Sequence, residues 1–172
     1  MALTIVKEDG TGKADANAYA SVADGDAYHE GHLYASAWTA APTASKEKAL
    51  VMATRLIDAE FRFQGVKANT EQALQWPRAE CRDPDGADDL ASDAVPNAVV
   101  DATCEMAREL LAKDRTAAPA GEGLKYLNVG STQTGYDKSD TPPVLSRVAL
   151  AMLAKLGVAV KARSGAVRLV RT

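Results

Sequence analysis

Aromatic residues are scarce in this chain of 172 residues, which holds two Phe, two Trp and five Tyr. A core of large rings is excluded, and burial falls to Ala, Val and Leu. Two cysteines, Cys81 and Cys104, give no disulfide framework, and nothing demands an oxidising compartment. No apolar run nears the roughly 20 residues that cross a bilayer, so no membrane partner is expected. The opening MALTIVKEDG lacks both a positive start and a long apolar stretch, so it does not read as a signal peptide. Basic charge is not in excess either: 20 Lys and Arg face 23 Asp and Glu, a net charge of −3. Non-specific nucleic-acid binding rests on neutralising phosphates, so this balance argues against it as the main task.

What is present is alanine and helical spacing. Alanine has the best intrinsic helix propensity, and the expected fold is mainly α. The reading is a small bundle of about four helices with long loops, a short hairpin or extended arm, and strand-like termini. Ser21, with Asp24 three residues on, starts a first helix of about Val22 to Ser36. Thr43 or Ser45 caps a second helix running to about Phe61, with Ala49, Leu50, Ala53, Leu56 and Ile57 on one face. Leu74 to Ala94 reads as loop, punctuated by Trp76-Pro77 and Asp83-Pro84-Asp85-Gly86. Pro96 suits the first turn of a third helix, whose stripe is Val99, Val100, Thr103, Ala107, Leu110 and Leu111. Leu124 to Tyr136 alternates weakly, as a hairpin or arm. A fourth helix opens at Asp140-Thr141-Pro142-Pro143 and ends at Gly157, read as its left-handed cap. Leu3 to Val6 and Val167 to Val170 are strand-like. Leu56, Trp76, Val99, Leu110 and Leu153 are the expected core.

Charge is unevenly spread. Lys155, Lys161, Arg163, Arg168 and Arg171 close the chain with no acid among them, while Glu80, Asp83, Asp85, Asp88, Asp89 and Asp93 crowd the middle around Arg82. This pattern suggests an acidic surface and a basic tail.

No catalytic constellation stands out. His29 and His32 could share a metal, but zinc needs three or four ligands and no third is tied to the pair, so they read as ordinary surface or half-buried side chains. Gly10-Thr11-Gly12-Lys13 resembles the end of a phosphate loop, yet Lys7 and Ala14 stand where that pattern needs Gly and Ser or Thr, so a turn is expected. Cys104 lies near an apolar stripe, where a buried, inert thiol is the ordinary state. Phe61, Phe63 and Trp76 could stack single-stranded bases if they lay on a basic groove. With Asp58, Glu60, Glu71 and Glu80 interleaved among Arg55, Arg62, Lys67 and Arg78, packing is the expected role of Phe61 and Trp76. The chain reads as non-enzymatic, with no cofactor and no metal.

The order of the pieces carries a resemblance. Glu8-Asp9-Gly10-Thr11-Gly12, Ala16-Asn17-Ala18-Tyr19-Ala20-Ser21-Val22-Ala23-Asp24 and Ala27-Tyr28-His29 come first. Ala53-Thr54-Arg55-Leu56-Ile57-Asp58, Phe63-Gln64-Gly65, Gln72-Ala73-Leu74-Gln75-Trp76-Pro77-Arg78 and Ser92-Asp93-Ala94-Val95-Pro96 follow. Together they resemble small phage proteins often labelled DnaT-like, single-stranded-DNA-binding proteins, over roughly residues 3 to 113. Members of that family look like the head-to-tail connectors of tailed phages. The resemblance implies a structural subunit made in the host cytoplasm and carried in the virion neck. It would form a homo-oligomeric ring, typically of twelve copies, that bridges portal and tail or stopper protein. Double-stranded DNA would pass through it without sequence-specific binding. On that reading residues 1–113 form the connector core with an N-terminal arm and acidic loop, 114–141 an extended arm, and 142–172 a helix with a basic tail. Lys161, Arg163, Arg168 and Arg171 would dock on the portal, and Asp83, Asp85, Asp88 and Asp89 would line the channel. The alternative is a single-stranded-DNA-binding accessory protein.

Overall fold

The computed structural model describes residues 3 to 117, 126 to 129, 132 to 135 and 143 to 160. The mainly helical expectation holds. Among the described residues there are five helices: α1 (Val22–Glu30), α2 (Ser36–Thr39), α3 (Thr43–Glu60), α4 (Asn97–Ala112) and α5 (Arg147–Leu153). Three two-stranded antiparallel ribbons join them. β1 (Phe61–Phe63) pairs with β6 (Gly157–Ala159), β2 (Val66–Lys67) with β3 (Arg78–Ala79), and β4 (Tyr126–Val129) with β5 (Thr132–Gly135). The last pair realises the hairpin expected between Leu124 and Tyr136.

Helix α4 is the hub, with α1, α2, α3 and α5 all packed against it. A helix covered on several sides must bury more than one stripe. Accordingly Val99, Ala102, Thr103, Cys104, Glu105, Met106 and Ala107 are all buried. α3 buries Ala49, Leu50, Val51, Ala53, Thr54 and Ile57. Of the expected core, Trp76, Val99 and Leu153 are fully buried, while Leu56 and Leu110 are half-buried against the same cluster.

Several boundaries differ from the sequence reading. Helix 22–36 ends at Glu30, because Gly31 leaves the helix and α2 begins a separate short turn at Ser36. The Ser21–Asp24 capping box forms as expected, each side chain taking the other's backbone N–H. Neither Thr43 nor Ser45 caps α3, since extended Pro42 (ψ 151°) occupies that place. Pro96 is likewise the cap residue of α4 rather than part of its first turn. α5 starts later than expected, where the Ser146 hydroxyl accepts the Ala149 N–H at 3.1 Å. Gly157 does not cap it. It opens β6 opposite Phe63, so close to β1 that a Cβ there would sit 2.2 Å from the Arg62 carbonyl oxygen. Leu3 to Val6 is not a strand; the nearby pairing is a single parallel bridge between Lys7 and Ala18. The strand-like Val167 to Val170 lies outside the described residues.

Candidate nucleic-acid interface

The residues that carried the resemblance converge on one hydrogen-bonded frame. The Glu8 carboxylate is fully buried and accepts the backbone N–H of Gly10 (2.9 Å), Gly12 (2.9 Å) and Lys13 (2.8 Å). Successive amides turned inward make an anion-binding nest, and here the chain's own carboxylate fills it. Gly10 has φ +101° and lies against Asp93, so the 8–12 and 92–96 segments meet there. The turn expected at Gly10-Thr11-Gly12-Lys13 is present, with its inward amides already occupied.

A second node joins α3 to the loop before β3. Thr54 and Asp58, one turn apart on α3, both face Tyr19. The Tyr19 N–H donates to the Thr54 hydroxyl (3.2 Å), and the Tyr19 hydroxyl donates to Asp58 Oδ1 (2.5 Å). Asp58 Oδ2 accepts the Gln75 N–H at 3.1 Å, and the Tyr19 oxygen accepts the N–H groups of Gln75 and Trp76. Burial raises the Asp58 carboxyl to about 6, against the lowering effect of Tyr19, the Gln75 amide, Lys67 and Arg78. Burial also holds the Tyr19 hydroxyl well above its usual range. Beside them Arg78, 7% exposed, donates to the carbonyls of Gln64 (2.5 Å), Gly65 (2.6 Å) and Gln75 (3.1 Å) and to Gln75 Oε1 (3.2 Å). No carboxylate pairs with it among the described residues.

This node floors an open cleft of about 480 Å³ lined by Asp58, Phe61, Arg62, Phe63, Gly65, Gln75, Arg78 and Val160. Alternation along β1 turns Phe61 and Phe63 inward and Arg62 outward. Arg62 stands opposite Val158, and the exposed Val158 and Val160 share its face. The chain enters its basic run at Lys161, directly after Val160 on the cleft wall. Lys161, Arg163, Arg168 and Arg171 themselves lie outside the described residues.

The other sequence candidates fall elsewhere. Phe61, Phe63 and Trp76 are buried and pack on one another, with ring centroids 5.0 and 5.6 Å apart, so packing is their role. His29 is buried rather than superficial. It contacts the Cys104 carbonyl through Nε2 at 3.2 Å and lies 5.0 Å from the Trp38 ring, while His32 is 3.7 Å from Glu105. Among the described residues no three His, Cys, Asp or Glu side chains are grouped to hold a metal. Burial pushes the Cys104 thiol up to about 12 and raises Cys81 as well, which leaves both as inert thiols at neutral pH. The acidic loop closes on itself, Asp83 N–H to Asp88 O (3.1 Å) and Leu90 N–H to Cys81 O (2.8 Å). Asp85, Asp88 and Asp89 are exposed there, Asp83 is half-buried, and Asp85 pairs with Lys155 at 2.7 Å. Asp58 and Glu8 were not singled out by the sequence reading. The i, i+4 pair Thr54 and Asp58, flanking the apolar stripe, was the available signal.

The frame is helical, and its open cleft carries Arg78 at the floor and Arg62 at the rim. The family model described as "Putative DnaT-like ssDNA binding protein" matches residues 1–172, and the chain belongs to that family. No curated protein and no solved structure matches it. The whole-chain match extends the resemblance beyond residue 113, and it overturns the connector reading, because the family is described by single-stranded DNA and not by a head-to-tail ring. The net charge of −3 had weighed against the single-stranded-DNA alternative, and a total does not say where exposed cations stand. A net of −3 hides that Lys7, Lys13, Lys46 and Lys155 are each paired with a carboxylate, while Arg62 pairs with none among the described residues. The portal-docking role of Lys161, Arg163, Arg168 and Arg171 and the channel-lining role of Asp83, Asp85, Asp88 and Asp89 rested on that reading and lose its support.

Proposed function

We propose that the protein is a non-enzymatic accessory protein that binds single-stranded DNA. Membership of the family over the whole chain is the observation that carries this reading. The cleft beside β1 and β6 supports it. Arg62 is exposed at the rim and Arg78 lies on the floor, so two cations stand at the cleft despite the acidic total. Backbone phosphates of a flexible strand supply the matching charge. Binding is then largely electrostatic, and log Kd rises with log salt at about 0.7 per phosphate neutralised on a single strand.

The test is anisotropy of a labelled single-stranded oligonucleotide at several salt concentrations. The expected result is binding whose salt slope drops when Arg62, Lys161, Arg163, Arg168 and Arg171 are changed to Ala, with helical content unchanged. Absence of binding at low salt, or a slope untouched by those changes, would overturn the proposal.

A further inference from the structure

The cleft has more chemistry than phosphate binding needs. Its volume of about 480 Å³ lies within the roughly 300 to 1,000 Å³ of small-molecule sites. Its floor is unusually specific in what it leaves unmade. Each Asp58 oxygen takes one donor, from Tyr19 or from the Gln75 amide, and a carboxylate oxygen has two lone pairs. Arg78 places four hydrogen bonds, and a guanidinium has five N–H groups. The Gln75 side chain uses its oxygen on Arg78, and its NH₂ has no partner among the described residues. Phe61 and Phe63 add apolar wall, and Arg62 stands at the rim.

A ligand matching this set must be flat and partly apolar, must offer both N–H donors and acceptors on one edge, and must carry negative charge about one side chain away. An unstacked nucleotide has those features. We infer that the cleft takes up one base of the bound strand, a base bearing an exocyclic amino group, with Asp58 accepting from that group and Arg62 on the adjoining phosphate. The inference rests on the single-stranded-DNA reading and assigns the recognition to that same site. Arg78 and Gln75 face the acceptors of the base edge. Thymine has no amino group and fits less well. The groove can read single strands this way because their base edges are unpaired.

Ionisation enters as a second handle. Asp58 accepts best as a carboxylate, and burial holds it protonated up to about pH 6. The other titratable groups facing it are Tyr19 from the segment before α1, Arg62 from β1, Lys67 from β2 and Arg78 from β3.

The experiment compares labelled oligo-dC, oligo-dT and an abasic strand of equal length at pH 7.5, with the natural protein, Asp58→Asn and Arg62→Ala. The natural protein should hold oligo-dC about tenfold tighter than the abasic strand and several-fold tighter than oligo-dT. Asp58→Asn should erase the dC-over-dT preference while leaving abasic binding in place, and Arg62→Ala should weaken all three strands alike. Should Asp58→Asn lose its fold by circular dichroism, the natural protein at pH 5.5 replaces it, probed with an oligo-dT strand carrying one dC so that hemiprotonated C·C pairs do not form, and the preference should shrink there. Equal binding of oligo-dC and the abasic strand would overturn the base site while leaving single-strand binding standing. So would a preference that survives both Asp58→Asn and pH 5.5. Failure of the natural protein to bind any of the three strands would instead remove the functional reading on which the site rests.

Discussion

Glu8 shows how far one side chain can organise a loop. Its carboxylate satisfies three backbone donors that would otherwise be buried without partners. An unsatisfied buried donor costs about 1 to 3 kcal/mol, and hydrogen bonds to a charged acceptor are stronger than neutral ones. Glu8→Gln keeps one oxygen and turns an NH₂ toward a backbone N–H, so a loss of about 2 kcal/mol is expected in urea unfolding. A loss below about 0.5 kcal/mol would show that the nest does not hold the segment. The sequence showed the turn through its glycines but not its centre, because nothing local marks an acid as buried. Trp76 was legible as core for the opposite reason: a large ring beside proline, among interleaved acids, has few places to go but inward. Asp58 was missed because its partners Tyr19 and Gln75 are distant in the chain, and only the fold brings them together.

Among the elements, α3 and the start of α4 were legible from apolar spacing to within a residue or two, while α4 ends at Ala112, short of the Pro119 expected to stop it. Their caps were not, because proline replaces a side-chain cap at both starts. The β1–β6 pairing was invisible. A glycine after an apolar helical stripe signals a left-handed cap and a strand in close approach equally well, and Gly157 serves the second purpose. Gly157→Ala should therefore damage the ribbon and spare the helices. A Cβ 2.2 Å from the Arg62 carbonyl forces the strands apart, with an expected cost of about 1 to 3 kcal/mol. Hydrogen exchange checks this. The amide of Gln64, bonded to Leu156 O, and that of Val160, bonded to Glu60 O, should lose protection while those of α4 keep it. If the ribbon amides stayed protected, the contact would be one the backbone relieves at little cost.

For the whole molecule, two buried groups pull stability in opposite directions with pH. Asp58 has a folded value of about 6 against an ordinary 3.8, so the folded state holds the proton more tightly. Its contribution to stability is greatest below about pH 4 and falls as pH rises through 4 to 6. Burial lowers His29, so its neutral form is the folded one. That contribution is present above about pH 6.5 and is lost as pH falls. Subtracting the unfolding free energy of Asp58→Asn from that of the natural protein isolates the first effect. The difference should decline by on the order of 3 kcal/mol between pH 4 and pH 7, and a flat difference would mean Asp58 is not buried as described. The acidic net charge was legible as a total, yet misleading, since it gave no hint of which cations were already paired.

The pairing of β1 with β6 also sets a schedule. Phe61 and Ala159 are partners although they stand 98 positions apart in the chain. A ribosome adding about 5 to 20 residues per second delivers β6 roughly 5 to 20 s after β1. Throughout that interval Phe61-Arg62-Phe63 is an unzipped edge with two aromatic rings. An exposed edge of that kind invites pairing with the wrong strand. Each newborn copy of this protein is thus most open to misassembly before α5 and β6 are made. Slower translation past residue 63 lengthens the exposure of that edge in proportion.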